Sequence, residues 1–370
     1  MYKNCEKYPD LWEYLRSTDK KIVLYGMGNG ADKIISVAER YGIEIADFFA
    51  SDGFVRGHQF HGKRVLSYTE TKEKYGVSNI IVLLSFASSL PDVLENIYRI
   101  ADECELYAPD VPVFGDEIFN FEFYKENLDS INAARELFCD EESKRIFDNI
   151  IKYKLYGNIA YLRDAESSVD ECYLDILEAE KIKVSADLGA YNGDSIRELL
   201  RYAENLQRVV AFEPDKRNYR KLTEWASGVD VKIDAHNLGA WSKMETLYFD
   251  GSGNRNASMS QNTSAFSDAI NQRKKKIIEV NADSLDNILA GEGVDYIKYD
   301  VEGSECEALM GSEKTIKNFS PSLLVSLYHR SADIFSLPVM IKNMNPSYSL
   351  YLRRFRYVPA WDINLYAVKK

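Results

Sequence analysis

A chain of 370 residues with 45% hydrophobic content exceeds one ordinary domain and can fill two or three separate cores. Its 58 acidic and 46 basic residues leave a net charge of −12, which repels a phosphate backbone, so no nucleic-acid partner is expected; the dense basic run Arg273 to Lys276 follows a polar loop and reads as a solvated face. Five scattered cysteines without a CxxC spacing indicate neither a disulfide framework nor zinc, and no apolar run approaches the roughly 18 residues that span a bilayer, so a cytoplasmic protein without membrane insertion is expected.

From Lys21 the pattern is "KIVLYG", a glycine turn, a helix-length segment to Gly42 and a second apolar run, "IEIADFFAS", which together make a βαβ unit. "NIIVLLSF" at 79–86 reads as another buried strand, and "CELYAPDVPVF" closes the region with prolines. Residues 1–115 are therefore expected to form a small Rossmann-like α/β domain. Over 116–182 the pattern turns helical. Phe147, Ile150, Ile151 and Leu155 share one face, Asp140 is placed to cap the start and Gly157 to end the helix, so a helical connector that packs on the C-terminal region is expected.

From 183 to 370 the βα alternation returns in "KVSADLG", "RVVAFEPD", "VKIDAHNLGAW", "VDYIKYDVEG" and "SLLVSLYH". Between the third and fourth lie a hairpin candidate, "ETLYFD", and the polar stretch 251–272, whose composition cannot form a core and which is expected to be a mobile lid. The tail runs "YSLYLRRF" and "INLYAVKK" are close enough to pair antiparallel. Five parallel strands plus an antiparallel pair make a seven-stranded sheet of the methyltransferase variant of the Rossmann-like fold, rather than that of a dehydrogenase.

The turn "VSADLGAYNGDS" separates two cofactor classes. A dinucleotide brings a pyrophosphate to the switch point of such a sheet, and Asp187 would oppose that charge. S-adenosylmethionine brings a sulfonium and an ammonium, which a carboxylate attracts, while Gly189 and Gly193 keep side chains clear of it. Glu213, in "VVAFEPD", ends the next strand about where an acid accepts hydrogen bonds from ribose hydroxyls. The plainer alternative is a glycine turn with Asp194 or Ser195 capping a helix.

"ADLGAYNGDS", "AFEPD", "NLGAWSKMETLYF", "IKYDVEGSECEALMGSEKTIKNFSPSLLVSLYH" and the closing "YLRRF…LYAV" resemble, in order and spacing, the FkbM family of S-adenosylmethionine-dependent methyltransferases, over about residues 137–370. The resemblance implies O-methylation of a hydroxyl on a sugar, glycan precursor or natural product. It also implies a cofactor site lined by Asp187, Gly189, Ala190, Tyr191, Gly193, Asp194, Glu213, Pro214, Asn237 and Asp300. Tyr191 and Asn192 depart from the commoner residues of that loop. In the first domain Gly26, Gly28 and Gly30, with Ala31 and with Asp52 at the second strand end, look like a nucleotide-binding-type turn that serves either docking or a bound nucleotide.

For the transfer itself a base must lie near the acceptor oxygen. His329, after the fifth strand, has the intrinsic pKa for that work, with Asp300 and Glu302 to orient the acceptor or the imidazole. The plainer readings are a hydrogen-bonded strand-end histidine and capping of the helix opened by Ser304. A divalent ion held by Asp300, Glu302 and His329 is a competing role, but no ligand spacing compels it and no metal is expected; His58 and His61 read as a turn, and His236 as structural or near the adenine. Two other functions stay open: a nucleotide-sugar oxidoreductase using Gly26 to Ala31 for NAD, and a binding or assembly protein without turnover. The acceptor and any homo-oligomeric state are left open by the sequence.

Overall fold

Short runs of aliphatic and aromatic residues, buried on both faces, form two central sheets. The computed structural model describes residues 4–55, 57–250, 259–260 and 277–369. The lid expected at 251–272 lies outside the described residues apart from the short strand Met259–Ser260.

The first sheet contains β1 (Lys21–Tyr25), β2 (Ile45–Ala50), β3 (Leu66–Ser67), β4 (Ile80–Leu84) and β5 (Glu105–Tyr107), in the order β3-β2-β1-β4-β5 with every pairing parallel. All five residues of β4 are buried, as a parallel strand covered by helices on both faces requires. Helix α1 (Asn29–Arg40) follows the first glycine turn, and α2 (Pro91–Glu103) starts on a proline whose missing N–H costs nothing there.

The connector carries α3 (Leu128–Glu136) and α4 (Glu141–Tyr156). Asp140 caps α4 by accepting from the Ser143 N–H at 2.7 Å, and Gly157 ends it in the left-handed conformation at φ 62°. Phe147 and Ile150 of α4 share one apolar cluster with Val82 and Ile97 of the first region and with Leu188 and Val325 of the second, so its inner face joins the two sheets.

The second sheet contains β6 (Val184–Leu188), β7 (Arg208–Phe212), β8 (Lys232–His236), β9 (Tyr296–Tyr299), β10 (Ser322–Ser326), β11 (Ser349–Arg354) and β12 (Ile363–Val368), in the order β8-β7-β6-β9-β10-β12-β11. The first five strands of that order pair in parallel; β12 pairs antiparallel with both β10 and β11. Helices α5 (Asp194–Leu199), α6 (Lys216–Ala226), α7 (Glu305–Met310) and α8 (Asp333–Met344) belong to this half. "ETLYFD" pairs antiparallel with Ile277–Asp283 in a separate four-stranded sheet, whose other members are Gly239–Ala240 and Met259–Ser260. The connector packs along the edge strand β11: the Leu352 N–H donates to the Ser143 hydroxyl at 2.9 Å, and the buried Arg353 reaches Asp140 at 2.8 Å and Glu171 at 3.1 Å.

Candidate active site

The carboxyl ends of β6, β7, β9 and β10 lie side by side along one edge of the sheet, where a parallel order places a ligand crevice. Asp187, on β6, stands in register with Lys298 on β9, and alternation puts Lys298 and Asp300 on the same face. The Lys298 ammonium lies 3.4 Å from Asp187 Oδ1 and 3.5 Å from Asp300 Oδ2, bridging the two acids. The Ser195 hydroxyl donates to the other oxygen of Asp187. Burial pushes the Asp187 carboxyl above its ordinary value, opposed by Lys298 and Ser195. Burial would raise Asp300 too, but Lys298, His329 and the Tyr328 hydroxyl, which donates at 3.1 Å, outweigh it and hold this acid low.

The glycines after β6 are dictated by close approach. At Gly189, φ +92°, a Cβ would lie 1.9 Å from the Asp300 carbonyl oxygen; at Gly193, φ +84°, it would lie 2.6 Å from the Trp225 ring. The N–H groups of Gly189 and Ala190 donate to the Phe212 carbonyl, and Tyr191 completes the turn at φ +47°. Asp194 opens α5 and accepts from the Ser195 N–H at 3.0 Å. Glu213, 6% exposed just past β7, accepts from the Asp215 N–H at 2.8 Å; burial pushes its carboxyl up to about 8. The Asn237 amide donates to the carbonyls of Glu213 and Pro214 at 2.9 and 3.0 Å, so that nitrogen holds the strand end in place.

His329, after β10, has no exposed surface. Its Nδ1 lies 2.9 Å from Glu305 Oε1, and its Nε2 lies 3.6 Å from Asp300 Oδ1 and 3.5 Å from Glu302 Oε2. Glu305 also accepts from the Val301 N–H at 2.9 Å, so one buried carboxylate shapes the loop and aims the imidazole. Ser304 precedes α7 without a side-chain cap bond, and Glu302 takes the left-handed conformation at φ +54°. This surround moves the imidazole away from its intrinsic pKa. Burial disfavours the charge, but Glu305, Glu302 and Asp300 outweigh it and raise His329 to about 10, which favours its protonated form. Glu302 is pushed up to about 8 by burial, with His329 opposing.

Asp187, Glu213, Asp300, Glu302 and His329 thus sit at the ends of four neighbouring strands. Lys298, Tyr328 and Glu305 were not anticipated; the i, i+2 spacing of Lys298 and Asp300 on a strand was the available signal for the first. Asp300, Glu305 and His329 also place one ligand atom each within 4.8 Å of one another, a spacing a metal ion could use, and no other such group occurs among the described residues. His61 instead pairs with Asp32 at 2.8 Å, and the His236 ring is 5.6 Å from that of Phe212, with burial lowering its pKa.

Residues 187–357 match the methyltransferase FkbM domain family. The chain carries an FkbM methyltransferase domain. That match begins at Asp187 and contains every residue of the crevice named above. The whole chain is similar in fold to a methyltransferase FkbM from Methylobacillus flagellatus, with 18% identity and a TM-score of 0.70 over 99% of this chain and 94% of that one. Because that overlap includes the first sheet and the connector, the two-sheet arrangement itself is shared. An rRNA methylase from Streptococcus thermophilus (13% identity, TM-score 0.34, 53% of this chain and 92% of that one) and a fibrillarin from Aeropyrum pernix with natively bound S-adenosyl-L-methionine (14%, 0.31, 50% and 66%) are far more distant. A search of curated proteins finds no match. No helix among the described residues is long and apolar enough to cross a membrane.

Proposed function

We propose that the protein transfers a methyl group from S-adenosylmethionine to a hydroxyl of a sugar, glycan precursor or natural product, in the cytoplasm. The observation that carries this reading is the pair of buried carboxylates, Asp187 and Glu213, at the ends of adjacent strands β6 and β7 beside a turn whose Gly189 and Gly193 have no room for a side chain. Their chemistry fits the cofactor: an acid for the cationic methionine end and an acid for ribose hydroxyls, where a pyrophosphate would be repelled. Gly189, Ala190, Tyr191, Gly193, Asp194 and Pro214 would line it, with Asn237 fixing the strand end. When bound, the cofactor supplies an electrophilic methyl on a sulfonium.

Glu302 takes the acceptor proton. Its raised pKa makes it a stronger base than an exposed carboxylate, and Asp300 orients the same hydroxyl. His329 is the fixed cation that keeps both acids in place. With the methyl group supplied by the bound cofactor, the proton of the acceptor hydroxyl would go to Glu302. Beside Asp300 the rings of Tyr328, Trp361 and Tyr357 form a row, with centroids 6.4 and 5.6 Å apart, which supports an acceptor with a ring face to stack.

The test is Glu302→Gln. Turnover should fall about 10²- to 10⁴-fold while cofactor affinity stays within about twofold. The rising limb of kcat near pH 8, set by Glu302, should vanish in the variant. A retained limb assigns the base elsewhere, and activity lost with EDTA and restored by Mg²⁺ would give Asp300, Glu305 and His329 to an ion instead.

A further inference from the structure

We propose that Phe114, in the segment leaving the first sheet, is a positioning residue for the turn Glu302–Gly303, so that the first region takes part in the chemistry of the second. This rests on the methyl-transfer reading for its consequence in turnover, though its geometry stands apart from that reading.

After β5 the chain crosses from one sheet to the other, held by contacts on both sides. On the near side, the Lys33 ammonium of α1 donates to the carbonyls of Pro112 and Val113 at 2.9 and 2.7 Å, and Lys154 of α4 pairs with Asp110 at 3.0 Å. On the far side, the Phe114 N–H donates to the His329 carbonyl at 3.0 Å, and the Ser331 hydroxyl donates to the Glu117 carbonyl at 2.7 Å. The Phe114 side chain occupies the space beside Gly303, where a Cβ would come within 2.8 Å of it. Arg330 completes the clamp: its Nε donates to the Gly303 carbonyl at 2.7 Å while its guanidinium covers the Phe114 ring at 4.1 Å.

The clamp acts on a strained turn. Glu302 at φ +54° and Gly303 at φ +93° adopt a conformation that is unfavourable for a glutamate and persists only where the surroundings over-determine it. That conformation aims the Glu302 carboxylate at His329 Nε2, 3.5 Å away. Without the Phe114 ring one wall of the turn is missing, and Glu302 can swing toward water. His329 would still face Asp300 from the loop after β9, Glu305 from the start of α7 and Asp333 from α8, while Glu302 would lose His329 and keep Asp300, Glu305 and Lys298 as charged neighbours. The expected effect is therefore a partial loss of alignment rather than a collapse of the site.

The experiment compares Phe114→Ala, Phe114→Tyr and Lys33→Met with wild type in the full chain. Cofactor affinity is read by calorimetry, and the His329 imidazole by ¹⁵N-histidine NMR titration, with its signal assigned by His329→Gln. In Phe114→Ala the midpoint of that titration should fall by about one unit, as an acidic neighbour is lost. Cofactor Kd should stay within about twofold, while kcat drops about 10- to 100-fold at little change in acceptor KM, since alignment and not binding is lost. Phe114→Tyr should restore kcat to within about threefold. Lys33→Met, which loosens only the remote end, should move midpoint and kcat the same way by less. An unchanged midpoint in a folded Phe114→Ala overturns the proposal; if that variant does not fold, an unchanged midpoint and kcat in Lys33→Met does so. Because the NMR readout needs no turnover, a wild-type protein that fails to bind S-adenosylmethionine would sink the methyl-transfer reading and leave the clamp testable.

Discussion

The two glycine-rich turns follow central strands of two sheets, each flanked by parallel neighbours, yet they are built for different purposes. In both, the glycines answer to the protein's own packing. A Cβ on Gly30 would lie 2.2 Å from the Ser85 carbonyl oxygen, and one on Gly26 would lie 2.7 Å from the Phe86 ring, much as Gly189 is pressed by Asp300 and Gly193 by Trp225. The difference lies in charge. Two residues ahead of the first glycine stands Leu24 in one turn and Asp187 in the other, both buried. At the next strand end, Asp52 is spent on the N–H and hydroxyl of Thr69 at 3.0 and 2.9 Å, whereas Glu213 is held in the crevice. A glycine pattern thus reports how closely strand and helix approach, and the acids report which ligand the approach serves. The oxidoreductase alternative rested on the first pattern alone.

The glycines themselves give the largest expected effect. Gly189→Ala sets a Cβ against backbone that cannot yield, so denaturant melts should show a loss of about 3 kcal/mol or more, with cofactor binding abolished. Gly28→Ala meets nothing within 4 Å and carries only the backbone strain of φ 100°, ψ −156°, about 1 to 3 kcal/mol, with cofactor binding untouched. Equal losses in the two variants would erase the distinction between the turns.

A smaller effect separates the two strand-end acids by pH. The raised pKa of Glu213 favours its neutral form in the fold, so its contribution to stability is complete below the unfolded value of about 4.3 and is lost as pH rises through about 8. Ribose hydroxyls need the ionised form as acceptor, so cofactor affinity should rise with pH toward about 8. Glu213→Gln should flatten that slope in calorimetry between pH 6 and 9. A slope that persists in the variant would place the titrating group elsewhere.

Much of this was legible because local signals agreed. Asp140, the stripe Phe147, Ile150, Ile151 and Leu155, and Gly157 predict α4 from cap to stop, and periodicity with turn residues marks the strands that flank the crevice. What the sequence hid were contacts set by tertiary approach. "ETLYFD" reads as a hairpin arm and does pair antiparallel with the nearby Met259–Ser260, but its longer partner, Ile277–Asp283, lies beyond a long polar stretch. His329 reads as a neutral base by its intrinsic pKa, because nothing local shows that Glu305, Glu302 and Asp300 close around it. Lys298 reads as one more polar residue until strand register sets it between two acids. Phe114 has no motif at all; its role exists only where one sheet meets the other.

The most direct test of the central claim is calorimetric titration of S-adenosylmethionine into wild type and Asp187→Asn. The substitution keeps shape and removes the charge, and Lys298 keeps Asp300 as its partner. Wild type should bind one equivalent, and the variant should bind at least tenfold more weakly, about 1.4 kcal/mol or more, as expected for losing a charge-assisted contact. Wild-type affinity in Asp187→Asn would contradict the assignment of this acid, and with it the reading of the second turn as a site for a cationic cofactor.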